Sequence, residues 1–252
     1  MNPILLVTGG SRGIGAAVAR QAAAAGYDVA LNYTRDEAAA QAVAGQVRAT
    51  GRRAWALRAD VADEDQVMAM FATLDAELAR QGGRLAALVN NAGVVDVSQP
   101  VAEMSGERLR RMFGINVLGS LYCAREGVRR MSTKHGGQGG GIVNLSSAAA
   151  RLGAAGQYVD YAAAKGAIDA FTLGLAREVG AEGIRVNAVR PGLIETDIHA
   201  SGGNPDRVRQ LQHQVPMQRG GTADEVAATV MWLLSPAASY VTGSVVDVSG
   251  GR

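Results

Sequence analysis

The chain has 252 residues, a length that suits one α/β domain. Apolar residues make up 48% of it and aromatic residues only 4%, so the sequence predicts a core of Ala, Val, Leu and Ile. A formal net charge of +2 is too small to indicate a nucleic-acid partner, and Cys123, the only cysteine, excludes an internal disulfide and argues against a metal–thiolate site. No apolar stretch approaches the ~20 residues of a membrane span, so we expect no membrane partner and a cytoplasmic location.

Short apolar runs alternate along the chain with longer Ala-rich segments of helical period. The runs predict strands at residues 4–7, 28–32, 54–58, 87–90, 141–145, 185–189 and 244–248. The segments predict helices at residues 13–25, 36–50, 64–81, 106–131, 161–182 and 222–234. Strands buried on both faces form continuous apolar runs, and their alternation with helices indicates right-handed βαβ units. The sequence therefore predicts a single Rossmann-type, doubly wound α/β domain over residues 1–252, with a seven-stranded parallel sheet flanked by helices.

Two further features concern the surface of this domain. A long segment without a strand follows the sixth predicted strand, and excursions of this length are usually functional lids or disordered segments. We interpret residues 193–220 as a substrate lid, in which His199 is expected to be exposed. The densest basic clusters, at residues 108–111 and 129–130, are interpreted as solvated helix faces.

A glycine-rich turn follows the first predicted strand. Gly9, Gly13 and Gly15 are spaced GxxxGxG. Between a first strand and a first helix, such a turn lets backbone amides approach a pyrophosphate. A tight helix start without a ligand is the alternative, and the position directly after the N-terminal strand favours the ligand. The predicted dinucleotide-binding residues of the turn are Gly9, Ser11, Arg12, Gly13, Ile14 and Gly15.

The end of the second predicted strand bears on which dinucleotide binds. In many NAD-binding folds an acidic residue there binds the ribose 2′-hydroxyl. Here Tyr33 occupies that region, and Arg35, with Arg12 of the glycine turn, can pair with a 2′-phosphate. NADP is therefore favoured over NAD. Asp36 and Glu37 count against this preference, although acids also commonly begin a helix.

Polar residues also follow the next two strands. Ligands bind at the carboxyl ends of strands in open α/β sheets. The predicted cofactor residues there are Asp60 and Val61 after the third strand, and Asn91, Ala92 and Gly93 after the fourth.

Tyr161 and Lys165 lie four residues apart in a predicted helix, and Ser147 follows the fifth strand. A tyrosine near its free pKa of ~10 is a poor base at neutral pH, and a nearby ammonium stabilises its phenolate. The i, i+4 spacing puts the two side chains on one helix face, whereas Tyr158 has Ala162 at that spacing. Such a pair is common by chance; together with the serine and the glycine turn it predicts hydride transfer between a nicotinamide and a carbonyl or alcohol.

Over essentially the whole chain these residues resemble the classical short-chain dehydrogenase/reductase family. The resemblance implies that Tyr161 is the general acid/base and that Ser147 orients the carbonyl, with Ser146 as the alternative serine. It implies that Lys165 lowers the pKa of Tyr161 and holds the nicotinamide ribose, and that Tyr161 also contacts the cofactor. Asn116 is implied to position a water in a proton relay. The remaining cofactor residues implied are Pro191, Gly192, Ile194 and Thr196 at the nicotinamide, with Asn91 to Gly93 at the adenine ribose.

Within that family the chain is similar to bacterial oxidoreductases grouped with glucose 1-dehydrogenases and acyl-carrier-protein reductases. The resemblance implies a homotetramer acting on a small carbonyl or alcohol substrate. Two alternatives are open: a dinucleotide-binding sensor without chemistry, and a 3-oxoacyl-ACP reductase. The second is disfavoured because Arg129 and Arg130 supply only half of the basic patch that such reductases use, and Glu182 occupies the place of the other half.

Overall fold

The computed structural model describes residues 2–252, which form a seven-stranded sheet in the order β3-β2-β1-β4-β5-β6-β7. Every neighbouring pair of strands is parallel. The strands are β1 Pro3–Val7, β2 Asp28–Tyr33, β3 Ala54–Arg58, β4 Arg84–Asn90, β5 Gly140–Leu145, β6 Ile184–Pro191 and β7 Val245–Val248. The chain winds outward from β1 in both directions, which confirms the predicted doubly wound α/β fold.

Helices cover both faces of the sheet. Their bounds are α1 Gly13–Ala24, α2 Glu37–Ala49, α3 Glu64–Gln81, α4 Gly106–Phe113, α5 Gly119–Met131, α6 Ala149–Leu152, α7 Val159–Val179, α8 Ile198–Ser201, α9 Arg207–Leu211 and α10 Ala223–Leu234. One apolar core joins the sheet to α1, α2 and α10, and the other joins it to α3, α5 and α7. Successive residues of β1, such as Leu5 and Leu6, enter opposite cores, because strand side chains alternate between the two faces.

The helix predicted at 106–131 is confirmed, but it contains a π-helical turn, Gly114–Leu118, between its α-helical parts α4 and α5. Asn116 lies in the middle of this turn and its side-chain amide donates to the carbonyl oxygen of Met112 at 3.0 Å. A side chain that bonds a carbonyl one turn earlier competes with the regular backbone ladder, and π-turns are frequent at functional sites.

The segment predicted as a lid is anchored at both ends. Ile194 and Gly221 form an isolated parallel bridge, supported by a hydrogen bond of 2.8 Å from the Gly221 amide to the Leu193 carbonyl oxygen. Between these ends the chain forms the short helices α8 and α9. No helix within residues 2–252 is long and apolar enough to cross a membrane.

Candidate active site

The glycine turn packs directly against the end of β4. The side-chain amide of Asn91 donates to the carbonyl oxygens of Thr8 at 2.8 Å and Gly9 at 3.0 Å. In return, the Thr8 hydroxyl accepts from the backbone amides of Asn91 and Ala92, both at 3.0 Å. Gly9 has φ +62°, and a Cβ there would lie 3.0 Å from the Ala92 Cα. The two backbones therefore meet too closely for a side chain at Gly9.

The start of α1 is shaped to receive an anion. Arg12 precedes the helix without capping it through its side chain, and the first turn holds no acidic residue. A Cβ on Gly15 would lie 2.3 Å from the Gly9 carbonyl oxygen, so only glycine allows this tight turn. Uncapped amides and the positive end of the helix dipole together favour a pyrophosphate. The turn fits the dinucleotide that the sequence predicts.

Asn32, which the sequence analysis did not single out, connects this turn to the second and third strands. Its side-chain oxygen accepts from the Gly9 amide at 3.2 Å, and its side-chain nitrogen donates to the Ala59 carbonyl oxygen at 2.9 Å. The Asn32 side chain is fully buried, so it fixes the turn relative to the strand ends. An asparagine within an otherwise apolar strand was the available signal.

Two exposed arginines lie in the predicted cofactor region, Arg12 before α1 and Arg35 after β2. Neither Arg12 nor Arg35 forms an ion pair within 4.0 Å in the described part of the chain. Asp36 accepts a hydrogen bond from the Ala39 amide at 2.9 Å and so caps α2. The Tyr33 ring is buried, and this burial, with neighbouring Glu37, raises the pKa of its phenol. Asp36 is thus a helix cap, and the cations beside it are available to an anionic ligand.

A cleft of about 440 Å³ opens at the C-terminal edge of β4, β5 and β6. Of the predicted site residues it brings together Ile14, Asn91, Gly93, Ser147, Tyr161, Lys165, Pro191, Gly192, Ile194 and Thr196. The adjoining glycine turn contains Gly9, Ser11, Arg12, Gly13 and Gly15, and Ala92 packs against it. The remaining predicted cofactor residues lie beyond the turn, at the ends of β2 and β3: Tyr33, Arg35, Asp60 and Val61. A Cβ on Gly13 would come within 3.4 Å of the Thr196 methyl group, which brings the turn next to the cleft wall.

Tyr161 lies at the cleft wall, where Ser147 is near enough to influence its hydroxyl. Tyr161 is half-buried, and burial raises its pKa to about 12 against the lowering effect of Ser147. The Lys165 ammonium lies 5.6 Å from the centre of the Tyr161 ring. The lowered phenol pKa implied by the family resemblance is therefore not found here, because burial dominates. At pH 7 Tyr161 is a neutral phenol that can donate a proton.

Lys165 is buried behind this wall. Its ammonium donates to the Leu145 carbonyl oxygen at 2.7 Å, and burial lowers its pKa to about 8 while Asp169 acts in the opposite direction. Of the two candidate serines, Ser147 is beside Tyr161, whereas Ser146 is buried and donates to the Lys165 carbonyl oxygen at 3.2 Å. Ser147 thus faces the site and Ser146 fixes the helix.

The side chains of Asn116 and Lys165 both lie next to Gly93. Its side chain both accepts from the Val94 amide at 3.2 Å and donates to the Val94 carbonyl oxygen at 3.0 Å. A Cβ on Gly93 would lie 2.8 Å from the Asn116 side-chain oxygen and 3.5 Å from the Lys165 nitrogen. The π-turn therefore carries Asn116 to the same place as Lys165, although 49 residues separate them in the chain.

A buried ion pair next to Tyr161 was missed by the sequence analysis. Arg108 donates to both carboxylate oxygens of Asp160, at 2.8 and 3.1 Å, and the two side chains are only 7% and 1% exposed. The interpretation of residues 108–111 as a solvated helix face is therefore wrong for Arg108. The buried Met112 one turn later was a signal that Arg108 lies on the inward face of α4.

The lid supplies another arginine to the cleft. Arg207 donates to the side-chain oxygen of Gln157 at 2.8 Å, and its guanidinium lies 5.1 Å from the centre of the Tyr158 ring. Tyr158 in turn packs edge-to-face against Tyr161, with 5.8 Å between ring centres. His199 is half-buried and lines the same cleft, so the expectation that it is exposed is wrong.

Comparison with known proteins gives a consistent family. Residues 9–252 match a family model described as enoyl-(acyl carrier protein) reductase. The uncharacterized oxidoreductase YgfF of Escherichia coli is 54% identical over 249 residues, which cover 99% of each chain. A short-chain dehydrogenase from Burkholderia cenocepacia, solved in complex with NADP, is 34% identical with a TM-score of 0.87, covering 98% of this chain and 96% of that one.

A further solved structure is similar over almost its whole length. The 3-ketoacyl-(acyl-carrier-protein) reductase from Brucella melitensis, complexed with NADH, is 31% identical with a TM-score of 0.89, covering 99% of this chain and 98% of that one. The chain therefore belongs to the short-chain dehydrogenase/reductase family of oxidoreductases.

Proposed function

We propose that this protein interconverts a carbonyl group and a secondary alcohol with NADP(H), using Tyr161 as the general acid/base. The observation that carries the proposal is that Tyr161 and Ser147 line one cleft together with Lys165, and that this cleft adjoins the glycine turn. Two hydroxyls in one cleft can together bind a single carbonyl oxygen. This arrangement suits a carbonyl better than a carbon–carbon double bond.

The proposed chemistry needs one proton and one hydride. When bound, reduced nicotinamide supplies the hydride to the carbonyl carbon. Ser147 donates a hydrogen bond to the carbonyl oxygen, and Tyr161 transfers its phenolic proton to that oxygen as it becomes a hydroxyl. In this proposal Lys165, with Asn116 beyond it, belongs to the relay that returns a proton to the Tyr161 oxygen. In the oxidative direction each transfer runs backwards.

The preference for NADP over NAD rests on this chain's own residues. One similar solved protein carries NADP and another carries NADH, so family membership does not decide between them. Arg12 in the glycine turn and Arg35 after β2 are both exposed and have no ion-pair partner among residues 2–252. Guanidinium groups bind phosphate through paired, charge-assisted hydrogen bonds, which supports binding of a 2′-phosphate.

Two structural expectations accompany this function. Residues 193–220 act as the substrate lid of a single domain, since Arg207 and His199 of that segment line the cleft. The chain assembles as a homotetramer, since α4, the π-turn and α7 expose apolar side chains such as Phe113, Leu118 and Leu173.

The proposed role of Tyr161 is tested by Tyr161→Phe, with Tyr158→Phe as the matched control. Both tyrosines line the cleft, but only Tyr161 has a lysine at i+4 and a serine at its hydroxyl. We expect Tyr161→Phe to lose turnover by about 10²–10⁴-fold, as is typical when a general acid is removed. NADPH affinity, measured by fluorescence titration, should change little, and Tyr158→Phe should retain most of the parent rate.

NADPH oxidation against aldehydes, ketones, quinones and acyl thioesters provides the readout. A Tyr161→Phe variant with near-parental rate would contradict the assignment. NADPH binding by the parent without turnover of any member would instead favour the sensor alternative.

A second candidate function, reduction of 3-oxoacyl-ACP, is supported by the similar Brucella reductase. Against it, Arg129 and Arg130 are paired with Glu126, and Arg130 also with Asp75, so they do not form a free basic patch. A 3-oxoacyl thioester and the matching 2-enoyl thioester belong in the substrate panel. Preference for the 3-oxoacyl thioester over simple ketones would favour this candidate, and preference for the enoyl thioester would contradict carbonyl reduction.

A further inference from the structure

The substrate end of the cleft is cationic. Arg207 and Arg252 both line it, together with His199, whereas no aspartate or glutamate of residues 2–252 does so. The acidic residues of the lid, Glu195, Asp197 and Asp206, line a neighbouring groove instead. A neutral substrate would leave the Arg207 guanidinium without a counter-ion inside a partly enclosed space.

Arg207 is held in place without being neutralised. Its hydrogen-bond partner is the uncharged side chain of Gln157, at 2.8 Å, and its guanidinium stacks over the Tyr158 ring at 5.1 Å. No carboxylate lies within 4.0 Å of it in the described part of the chain. By contrast, Arg108, Arg151 and Arg190, which also lie around the site, all pair with carboxylates. Arg207 is therefore a positioned cation with donors left over.

Arg207 lies close to the tyrosine of the proposed reaction. One aromatic ring, Tyr158, separates its guanidinium from Tyr161, and the two ring centres are 5.8 Å apart. The cleft that these residues share is also lined by apolar and small side chains such as Val95, Leu152, Ala154 and Ile198. A ligand that spans this distance would have a carbonyl at one end, an apolar middle and an anion at the other end.

We infer that the substrate of this enzyme is an oxo acid or hydroxy acid, whose carboxylate is bound by Arg207 at a distance from the reacting carbon. This inference rests on the proposed function and specifies its substrate class. A planar guanidinium binds a carboxylate through two parallel hydrogen bonds, which a lysine cannot reproduce. His199 adds neither a charge nor a free donor: burial and the nearby Arg207 lower its pKa, and its Nε2 donates to the Ile194 carbonyl oxygen at 2.9 Å. Of the two arginines that line the cleft, only Arg207 stacks on an aromatic ring, so the proposed site consists of one guanidinium that binds one carboxylate.

The test compares straight-chain oxo acids with their methyl esters, at several separations of the two functional groups. The variants are Arg207→Ala, Arg207→Lys and the control Arg209→Ala. Arg209 lies on the same short helix, but its side chain is 76% exposed, pairs with Asp206 and does not line the cleft. We expect the parent to prefer at least one acid over its ester. Arg207→Ala should lower kcat/KM for that acid about 10- to 100-fold, mainly through KM, because a hydrogen bond to a charged group is lost.

The esters separate binding from structural damage. With Arg207→Ala the ester rates should stay within about twofold of the parent, and Arg207→Lys should recover only part of the acid rate. An equal loss for acid and ester would show that Arg207 merely supports the lid, and would overturn the inference. So would a parent enzyme that reduces every ester at least as well as its acid, or that prefers phosphate-bearing ketones.

A binding measurement keeps the inference distinct from the proposed function. Hexanoate and hexanamide have the same length and differ in charge. In the presence of NADPH, hexanoate should bind the parent at least tenfold more tightly than hexanamide, and Arg207→Ala should remove the difference. If no carbonyl compound is reduced although hexanoate binds in this way, the proposed function fails while the carboxylate site stands. Equal binding of the acid and the amide would reject the site.

Discussion

Replacing Asp160 with alanine is expected to destabilise the protein by about 3–5 kcal/mol, the range found when one partner of a buried ion pair is removed. The Asp160 carboxylate is 1% exposed and receives two hydrogen bonds from Arg108, whose side chain is 7% exposed. Without it, the buried guanidinium keeps only the Val97 carbonyl oxygen at 2.7 Å and the Gln99 side chain at 3.2 Å as acceptors. Neither acceptor carries a charge that could replace the carboxylate.

Two related variants follow from the same geometry. Asp160→Asn keeps the shape and one acceptor but loses the charge, so a smaller loss of about 1.5–3 kcal/mol is expected. The double variant Arg108→Met/Asp160→Leu removes both charges together. It should be more stable than Asp160→Ala, because replacement of a whole buried pair by apolar side chains is often neutral.

The assay is urea unfolding at pH 7 and one fixed protein concentration, since the stability of an oligomer depends on concentration. The control is Arg111→Ala, which removes an ion pair to Asp96 of 2.9 Å whose arginine is half exposed. It should cost at most about 1 kcal/mol. For a chain of this size, the Asp160→Ala loss corresponds to a fall in Tm on the order of 10 °C. A loss below 1 kcal/mol, or a double variant no more stable than Asp160→Ala, would refute the reasoning.

The Arg108–Asp160 ion pair is also expected to affect the rate of turnover. Asp160 directly precedes Tyr161, and Arg108 holds the Val97 carbonyl of the loop that follows β4. Asp160→Asn is therefore expected to lower kcat several-fold while NADPH affinity stays near the parent value, because the glycine turn is untouched. A parallel loss of both would point to general unfolding.

Further predictions concern the exposed arginines, the buried lysine and the apolar helix faces. Arg35→Ala and Arg12→Ala should each weaken NADPH binding about tenfold, because each removes about 1.4 kcal/mol of interaction with a 2′-phosphate. Titrations of both cofactors should show NADH binding unchanged. Tighter binding of NADH than of NADPH by the parent would contradict the preference for NADP. NADPH affinity should fall between pH 7 and pH 9, because the charged form of Lys165 is lost above its pKa of about 8, and Lys165→Met should show no such fall. Through the same residue the free energy of unfolding should rise with pH from about 8 to 10.5, where the unfolded chain holds this proton and the folded chain does not. Light scattering at micromolar concentration should give the mass of four chains, and a monomer would reject the tetramer.

The sheet and the glycine turn were predictable because their signals are local. A buried parallel strand is an apolar run of four to eight residues, and a phosphate-binding turn needs glycines at fixed offsets. Tyr161 and Lys165 were equally accessible, since four residues place them on one helix face. The structure adds the strand order and the close contact of Gly9 with Ala92 to these local features.

Features that depend on a partner distant in sequence were not predictable in this way. Arg108 is buried because Asp160, 52 residues later, neutralises it, and a run of arginines alone indicates a solvated face. The π-turn at Asn116 likewise depends on Val94, whose backbone satisfies the asparagine side chain from another segment. The pKa of Tyr161 depends on how much protein surrounds its hydroxyl, which spacing alone does not reveal.

The two arginines beside the Tyr161 helix show how pairing decides what a cation can do. Arg108 is held by a buried carboxylate, so its charge is neutralised and its work is to hold Asp160 and the Val97 loop in place. Arg207 is held by an amide oxygen and an aromatic ring, which fix its direction and leave its charge for a ligand. Removal of the first should therefore cost stability whatever the substrate, whereas removal of the second should cost affinity only for substrates that carry an anion. That contrast separates the positioning role from the binding role within one set of purified variants.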